Sequence, residues 1–236
     1  MSPATAPDGP GGPLRLRVPL TQPQAVEDTT ALQWPPRGGR PRPLGLLLAP
    51  AAGARASNPL LAGVAANLAG DGYPVLGFDF ASTEAGRRLP DPPARLESAF
   101  RDAIAFAEPL LGRRPLVLGG RSMGGRIASQ VAAQGERCAG LVLLGYPLHP
   151  PGRPEKLRTA HWSLLRVPML FVHGDRDALC DLEVLERERR ERLAGAPTRV
   201  HLLAGADHGF RVAGRGQADV LAEVSAAVVD WLMEIG

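Results

Sequence analysis

The stretch Leu116-Val117-Leu118-Gly119-Gly120-Arg121-Ser122-Met123-Gly124-Gly125-Arg126-Ile127-Ala128 decides how this chain folds. It opens on an apolar run, passes through glycines clustered around one serine, and leaves as a helix-forming segment rich in small side chains. A buried strand that feeds directly into a helix leaves room only for a sharp turn, with the serine hydroxyl lifted above the sheet. Gly120 and Gly124, two positions either side of Ser122, and Gly125 beyond them allow backbone segments to meet where a Cβ would clash. The Gly-x-Ser-x-Gly pattern alone is weak in a chain with 28 glycines. Its weight comes from the strand before it and the helix after it.

Outward from this turn the same alternation repeats. Apolar runs occupy 44–49, 74–78, 115–118, 140–144, 168–172 and 199–203, and helical stretches fill about 58–70, 93–111, 123–134, 181–194 and 215–235. Short apolar runs alternating with helices predict a parallel sheet covered on both faces. Residues 14–18 alternate apolar and polar with a period of two, and 30–34 form a second short candidate. Both are expected at the edge, which makes an eight-stranded, mostly parallel α/β sheet. There is no internal repeat, and the length suits one domain over 14–236. In open sheets of this kind ligands bind beyond the carboxyl ends of the strands.

Two more of those ends carry chemistry. The run 168–172 ends in His173-Gly174-Asp175-Arg176-Asp177, and 199–203 ends in Ala204-Gly205-Ala206-Asp207-His208-Gly209-Phe210. A serine hydroxyl is a weak nucleophile at neutral pH, so it needs a base, and the base needs an orienting acid. Ser122, then Asp175 or Asp177, then His208, each at the carboxyl end of a successive strand, supply those roles from loops at one sheet edge. His201 falls inside a strand and reads as a sheet-face residue. His149 and His161 lie in a proline-rich segment expected to border a cleft, without metal-ligand spacing, so no metal site is expected.

These motifs resemble the small α/β-hydrolases of the dienelactone-hydrolase-like type, in the compact branch whose elbow reads Gly-Gly-Arg-Ser-Met-Gly-Gly-Arg. The similarity runs from about Leu14 to the C-terminus. The resemblance implies the α/β-hydrolase fold and, through a His-Gly-x-x-Asp turn, the choice of Asp177 over Asp175 as the acid. In that turn His173 takes the place of the structural histidine, and His208 takes that of the base. It also implies an oxyanion hole made by the N–H of Met123 and one N–H from the loop after the third strand, at Ala51 or Ala52. That loop departs from the His-Gly-x-Gly often found there, since Pro50 and Ala51 replace His and Gly. Dienelactone hydrolases proper carry a cysteine nucleophile, and Ser122 stands here instead, so their lactone chemistry does not transfer. The 146–168 segment, where larger relatives insert lids, is short and holds Pro147, Pro150, Pro151 and Pro154, which implies an open cleft without a large cap. The function implied is hydrolysis of small carboxylic esters, or thioesters, through an acyl-enzyme on Ser122, without a cofactor. The rival is a catalytically silent α/β-hydrolase fold used for binding or scaffolding, because fold does not fix function.

Composition excludes several other classes. The chain is 44% hydrophobic and 22% charged, which supports a buried core and argues against global disorder. Its net charge of +3, with Lys156 the sole lysine, gives no polyanion-binding signal, and only 5% aromatic residues argues against nucleic-acid stacking platforms. Cys138 and Cys180 match no disulfide framework and read as buried thiols in a reducing compartment. With no secretory leader pattern and no apolar stretch of spanning length, a cytoplasmic protein acting on a small-molecule acyl substrate is expected, with no oligomeric state implied. Residues 1–13, rich in Pro and Gly, read as a disordered tail. The sign-alternating run 186–192 reads as a solvent-exposed helix face.

Overall fold

The computed structural model describes residues 12–22, 24–38 and 41–236, and the expected tail lies outside them up to residue 11. Eight strands, β1 (Leu14–Pro19), β2 (Asp28–Trp34), β3 (Gly45–Ala49), β4 (Val75–Phe78), β5 (Leu116–Arg121), β6 (Gly140–Leu144), β7 (Met169–Gly174) and β8 (Thr198–Leu203), form one sheet. Their order is β1-β2-β4-β3-β5-β6-β7-β8. Only β2 runs antiparallel to its neighbours. The helices are α1 (Pro59–Gly70), α2 (Ala81–Glu84), α3 (Pro93–Leu110), α4 (Met123–Ala133), α5 (Leu182–Arg192) and α6 (Gln217–Ile235).

Period-two geometry divides the core between the two faces of the sheet. In β6, Leu141 and Leu143 join Phe100 of α3, Ile127 and Val131 of α4 and Leu185 of α5. Val142 and Leu144 point the other way, against Val64 and Leu68 of α1 and Val224, Val228 and Trp231 of α6. Each such side chain removed from water contributes about 1.5–3 kcal/mol, which is why the central strands are apolar throughout. Local signals set the helix starts. Asn58 accepts the Leu60 N–H ahead of Pro59 in α1, and Asp181 accepts the N–H groups of Glu183 and Val184 in α5.

Two expectations need correction. Residues 30–34 do not form an edge: β2 pairs with β1 on one side and β4 on the other, and β1 alone closes that end. Thr29, Thr30, Ala31 and Leu32 are all buried, whereas β1 alternates and exposes every second residue. The charged run of α5 is also not simply a solvated face. Glu188 is 3% exposed, accepting a hydrogen bond from Thr159 Oγ1 at 2.5 Å and one from Arg192 Nε at 2.7 Å. It ties α5 to the segment after β6. The four-residue α2 and a single 3-10 turn at Trp162–Leu164 were not visible in the sequence pattern, since neither is long enough to show a period.

The 146–168 segment carries no cap helix. It is fastened instead by Tyr146 and Trp162, edge to face at 5.2 Å, with Trp162 against Phe171 of β7 at 5.4 Å. Tyr146 Oη donates to the Arg158 carbonyl at 2.6 Å, and His161 Nε2 lies 2.8 Å from Ser129 Oγ on α4. Burial, with the nearby Arg126 charge, pushes the His161 imidazole down to about 4. No helix among the described residues is long and apolar enough to cross a membrane.

Glu188→Ala is expected to cost about 1–3 kcal/mol in urea unfolding, because it strands the Thr159 hydroxyl and unpairs Arg192. Arg190→Ala, exposed on the same helix, is expected to stay within about 0.5 kcal/mol. Stability is also expected to fall with acidity. The unfolded chain protonates His161 near its ordinary 6.5, while the folded chain resists until about 4, so stability drains as pH falls through that window, by up to about 3 kcal/mol. Denaturation midpoints measured across it should decline less steeply in His161→Gln; an unchanged slope would show that His161 is not the group responsible.

Candidate active site

Ser122 sits between the end of β5 and the start of α4 with φ 50 and ψ −111, a left-handed conformation that costs a non-glycine residue on the order of 1–3 kcal/mol. Its N–H donates to the Leu144 carbonyl at 2.9 Å, pinning the turn against β6. The turn is also pressed against β3. A Cβ on Gly120, where φ is 149, would lie 2.1 Å from the Ala49 carbonyl oxygen, and a Cβ on Gly124 would lie equally close to the same atom. The backbone entering the 50–54 loop therefore runs directly beside the serine. Sequence reasoning passed over Gly119, whose Cβ would meet the Val142 carbonyl oxygen at 2.2 Å.

The strand-end loops bring the other two groups to this turn. His208 Nε2 is 3.0 Å from Ser122 Oγ, and His208 Nδ1 is 2.8 Å from Asp177 Oδ2 and 3.0 Å from Oδ1. Asp175 is not part of this line: its Oδ1 accepts the Gly205 N–H at 2.6 Å and braces the turn after β8. Exposure is graded along the chain of contacts. The Asp177 side chain is fully buried, and that of His208 is 26% exposed. Burial alone would raise the Asp177 carboxyl, but the adjacent His173 ring, the His208 ring and the Leu179 N–H outweigh it and hold the group well below the usual carboxylate range. The acid is charged at neutral pH.

His173 is wholly buried beneath this acid. Its Nδ1 lies 3.8 Å from Asp177 Oδ2, beyond hydrogen-bond distance, and its ring stacks on Phe171. Burial holds its imidazole neutral. His149 Nδ1 turns to the Pro150 carbonyl at 2.9 Å, and His201 pairs with Glu223 on the sheet's far edge. Among the described residues no cluster of His, Cys, Asp and Glu side chains is arranged to hold a metal ion. Cys180 is buried and Cys138 only partly so, and neither is in a disulfide.

Three residues that sequence reasoning left without a role hold the site in shape. Arg121, just before the serine, donates from Nη2 to the His208 carbonyl at 2.5 Å and lies over the Phe210 ring, which is itself fully buried. Asp79, buried at the end of β4, accepts the Ala56 N–H at 2.6 Å and Arg55 Nη1 at 2.8 Å. Glu84 extends that network to Arg55 and Thr30. Through it the loop containing Ala51 and Ala52 is tied at its far end, while the Ala51 carbonyl accepts the Ala54 N–H at 3.0 Å within the loop. A charged residue directly after an apolar run, as in Phe78-Asp79-Phe80, was the available signal.

Comparison with known proteins matches this fold. The chain is similar over nearly its whole length to an α/β serine hydrolase homologue from Coxiella burnetii, at 17% identity and TM-score 0.74, covering 97% of this chain and 99% of the other. An α/β serine hydrolase without a lid from Xanthomonas campestris aligns at 18% identity and TM-score 0.71, over 96% and 98% of the two chains. A dienelactone hydrolase from Anabaena variabilis aligns at 21% identity and TM-score 0.70, over 94% and 98%. A family model described as an alpha/beta hydrolase domain matches residues 43–233. The run from β3 through α6 is thus accounted for by one family, and the chain belongs to the α/β hydrolases.

Proposed function

We propose that this α/β hydrolase cleaves small carboxylic esters through an acyl-enzyme on Ser122. The observation that carries the reading is the continuous line Ser122 Oγ, His208 Nε2 at 3.0 Å, His208 Nδ1, Asp177 Oδ2 at 2.8 Å. With Asp177 ionised, the proton of the neutral imidazole belongs on Nδ1, which leaves Nε2 free to accept the serine proton. Ser122 attacks the carbonyl carbon while His208 takes its proton. Asp177 orients the ring and stabilises the imidazolium that forms. His208 then protonates the leaving alcohol, and a water activated by the same ring hydrolyses the acyl-enzyme.

The developing oxyanion needs two donors. The first N–H groups of α4 have no partner within the helix, and Met123 is the first of them. The second donor in this reading is the N–H of Ala51 or Ala52. Support for it is the contact of Ala49 and Pro50 with Gly124, which brings that loop to the serine, and the Asp79–Ala56 bond that fastens it. Losing one such donor costs roughly 3–4 kcal/mol in the transition state. The uncapped 146–168 segment supports small or exposed acyl groups over long buried chains.

A fluorophosphonate probe is expected to label the wild-type chain and not Ser122→Ala. Absence of label on well-folded wild-type protein would leave the silent scaffold as the better account. Short-chain ester turnover in Asp177→Asn is expected to drop about 10³- to 10⁴-fold, the range seen when an orienting acid is neutralised. Asp175→Asn keeps an oxygen acceptor for Gly205 and should lose less than about tenfold. The opposite ranking of the two variants would reassign the acid.

A further inference from the structure

Arg121 ends β5 and is the chain neighbour of Ser122, yet its side chain reaches the turn that carries the base. Its Nη2 donates to the main-chain carbonyl of His208 itself at 2.5 Å, across 87 residues of chain. A charged donor makes this one of the stronger kinds of hydrogen bond. One side chain thus joins the nucleophile's strand to the backbone of the base, separately from the contact between Ser122 Oγ and the imidazole.

The turn held in this way is strained. Phe210, two residues beyond His208, has φ 58, a conformation that a bulky side chain adopts only when its surroundings impose it. Two bonds inside the turn give it its shape, from the Phe210 N–H to the Asp207 carbonyl at 2.9 Å and from the Asp207 N–H to the Arg211 carbonyl at 3.1 Å. They do not place it relative to Ser122. Its start is fastened to the loop of the acid, by the Arg176 N–H on the Ala206 carbonyl at 3.0 Å and the Gly205 N–H on Asp175 Oδ1 at 2.6 Å. Arg121 is the hydrogen-bonded tie on the side of the nucleophile, and its guanidinium carbon also lies 6.0 Å from the centroid of the buried Phe210 ring. Gly145, just after β6, leaves room for both rings, since a Cβ there would lie 3.5 Å from Phe210 Cε1 and 3.7 Å from His208 Cε1.

The imidazole must face two partners of unequal strength. Its bond to the ionised Asp177 is charge-assisted, whereas Ser122 offers a neutral hydroxyl. A His208 backbone free to shift would therefore keep Asp177 and drift from Ser122. Arg121 opposes that drift. Its guanidinium makes no ion pair among the described residues and answers a main-chain carbonyl instead. A partly buried cation without a carboxylate partner is a costly way to stabilise a fold, which points to a task in the site.

We propose that Arg121 is a positioning residue of the reaction, holding His208 Nε2 at Ser122 Oγ through both proton transfers. The proposal rests on the hydrolase reading above. In the first transfer Nε2 takes the Ser122 proton as Oγ bonds to the carbonyl carbon. In the second, Nε2 returns that proton to the leaving oxygen as its bond to carbon breaks. Methanol requires the second transfer, while p-nitrophenolate departs as the anion, so a misplaced imidazole penalises a methyl ester twice and a p-nitrophenyl ester once.

The test is kcat/KM for methyl acetate, followed by proton release at constant pH, and for p-nitrophenyl acetate, followed by absorbance, in the wild type and three variants. Arg121→Met, which keeps an apolar stem beside Phe210, is expected to lose about tenfold on the p-nitrophenyl ester and about a hundredfold on the methyl ester. The loss should fall on kcat, with KM within about twofold. Arg121→Lys, which keeps a charged donor, should recover part of it on both esters. Thermal unfolding establishes that the variants are folded, and Arg121→Gln, expected to show the same ordering at smaller size, carries the test if Arg121→Met does not fold. Equal losses on the two esters, a loss confined to KM, or wild-type rates in a folded variant overturn the positioning role and leave the hydrolase reading standing. A wild type that turns over neither ester and takes no phosphonate label overturns the hydrolase reading and this role with it.

Discussion

The contact on which the rest of this structure depends is between the Ala49 carbonyl and the two glycines that flank the serine. Gly120 and Gly124 both approach that oxygen so closely that a methyl group on either would sit 2.1 Å from it. This lets β3 and β5 pair in register right up to the turn, Ala49 opposite Gly120. It also brings the loop after β3 within reach of Ser122. With a side chain at either glycine the strands would part at their carboxyl ends, and the turn would lose the backing that holds Ser122 at φ 50.

Around that contact the molecule arranges polarity by depth. A wholly buried His173 lies under a buried Asp177, which faces a half-exposed His208, which faces the half-exposed Ser122. Burial opposes charge at the acid, yet the neighbouring rings and the Leu179 N–H overcome it, so the carboxylate stays ionised where water cannot screen it. The neutral His173 is as much a part of this as the ionised Asp177. Gly174 lets the two loops meet, since its Cβ would fall 2.1 Å from the Ala206 carbonyl oxygen, between the turn that carries the acid and the one that carries the base.

The arginine-rich composition acquires local meaning on the same edge of the sheet. Arg121 holds the His208 loop, Arg55 joins Asp79 and Glu84 under the loop after β3, and Arg192 meets the buried Glu188 that anchors the segment after β6. Each of these cations has an acceptor.

The apolar runs and their turn residues were enough by themselves to determine the alternating strands and helices, the elbow at Ser122 and the absence of a cap helix, because burial on two sheet faces and the strand-to-helix turn are local, periodic demands. The sequence also offered Asp175 and Asp177 as equals by spacing; resemblance chose between them, and the fold gives the physical reason, by turning Asp175 to the Gly205 N–H and Asp177 to His208. The place of β2 inside the sheet, the burial of Glu188 and the bracing by Arg121 and Asp79 were decided only in three dimensions. Each depends on partners from 23 to 87 residues away in the chain, and no local pattern encodes a partner at that distance.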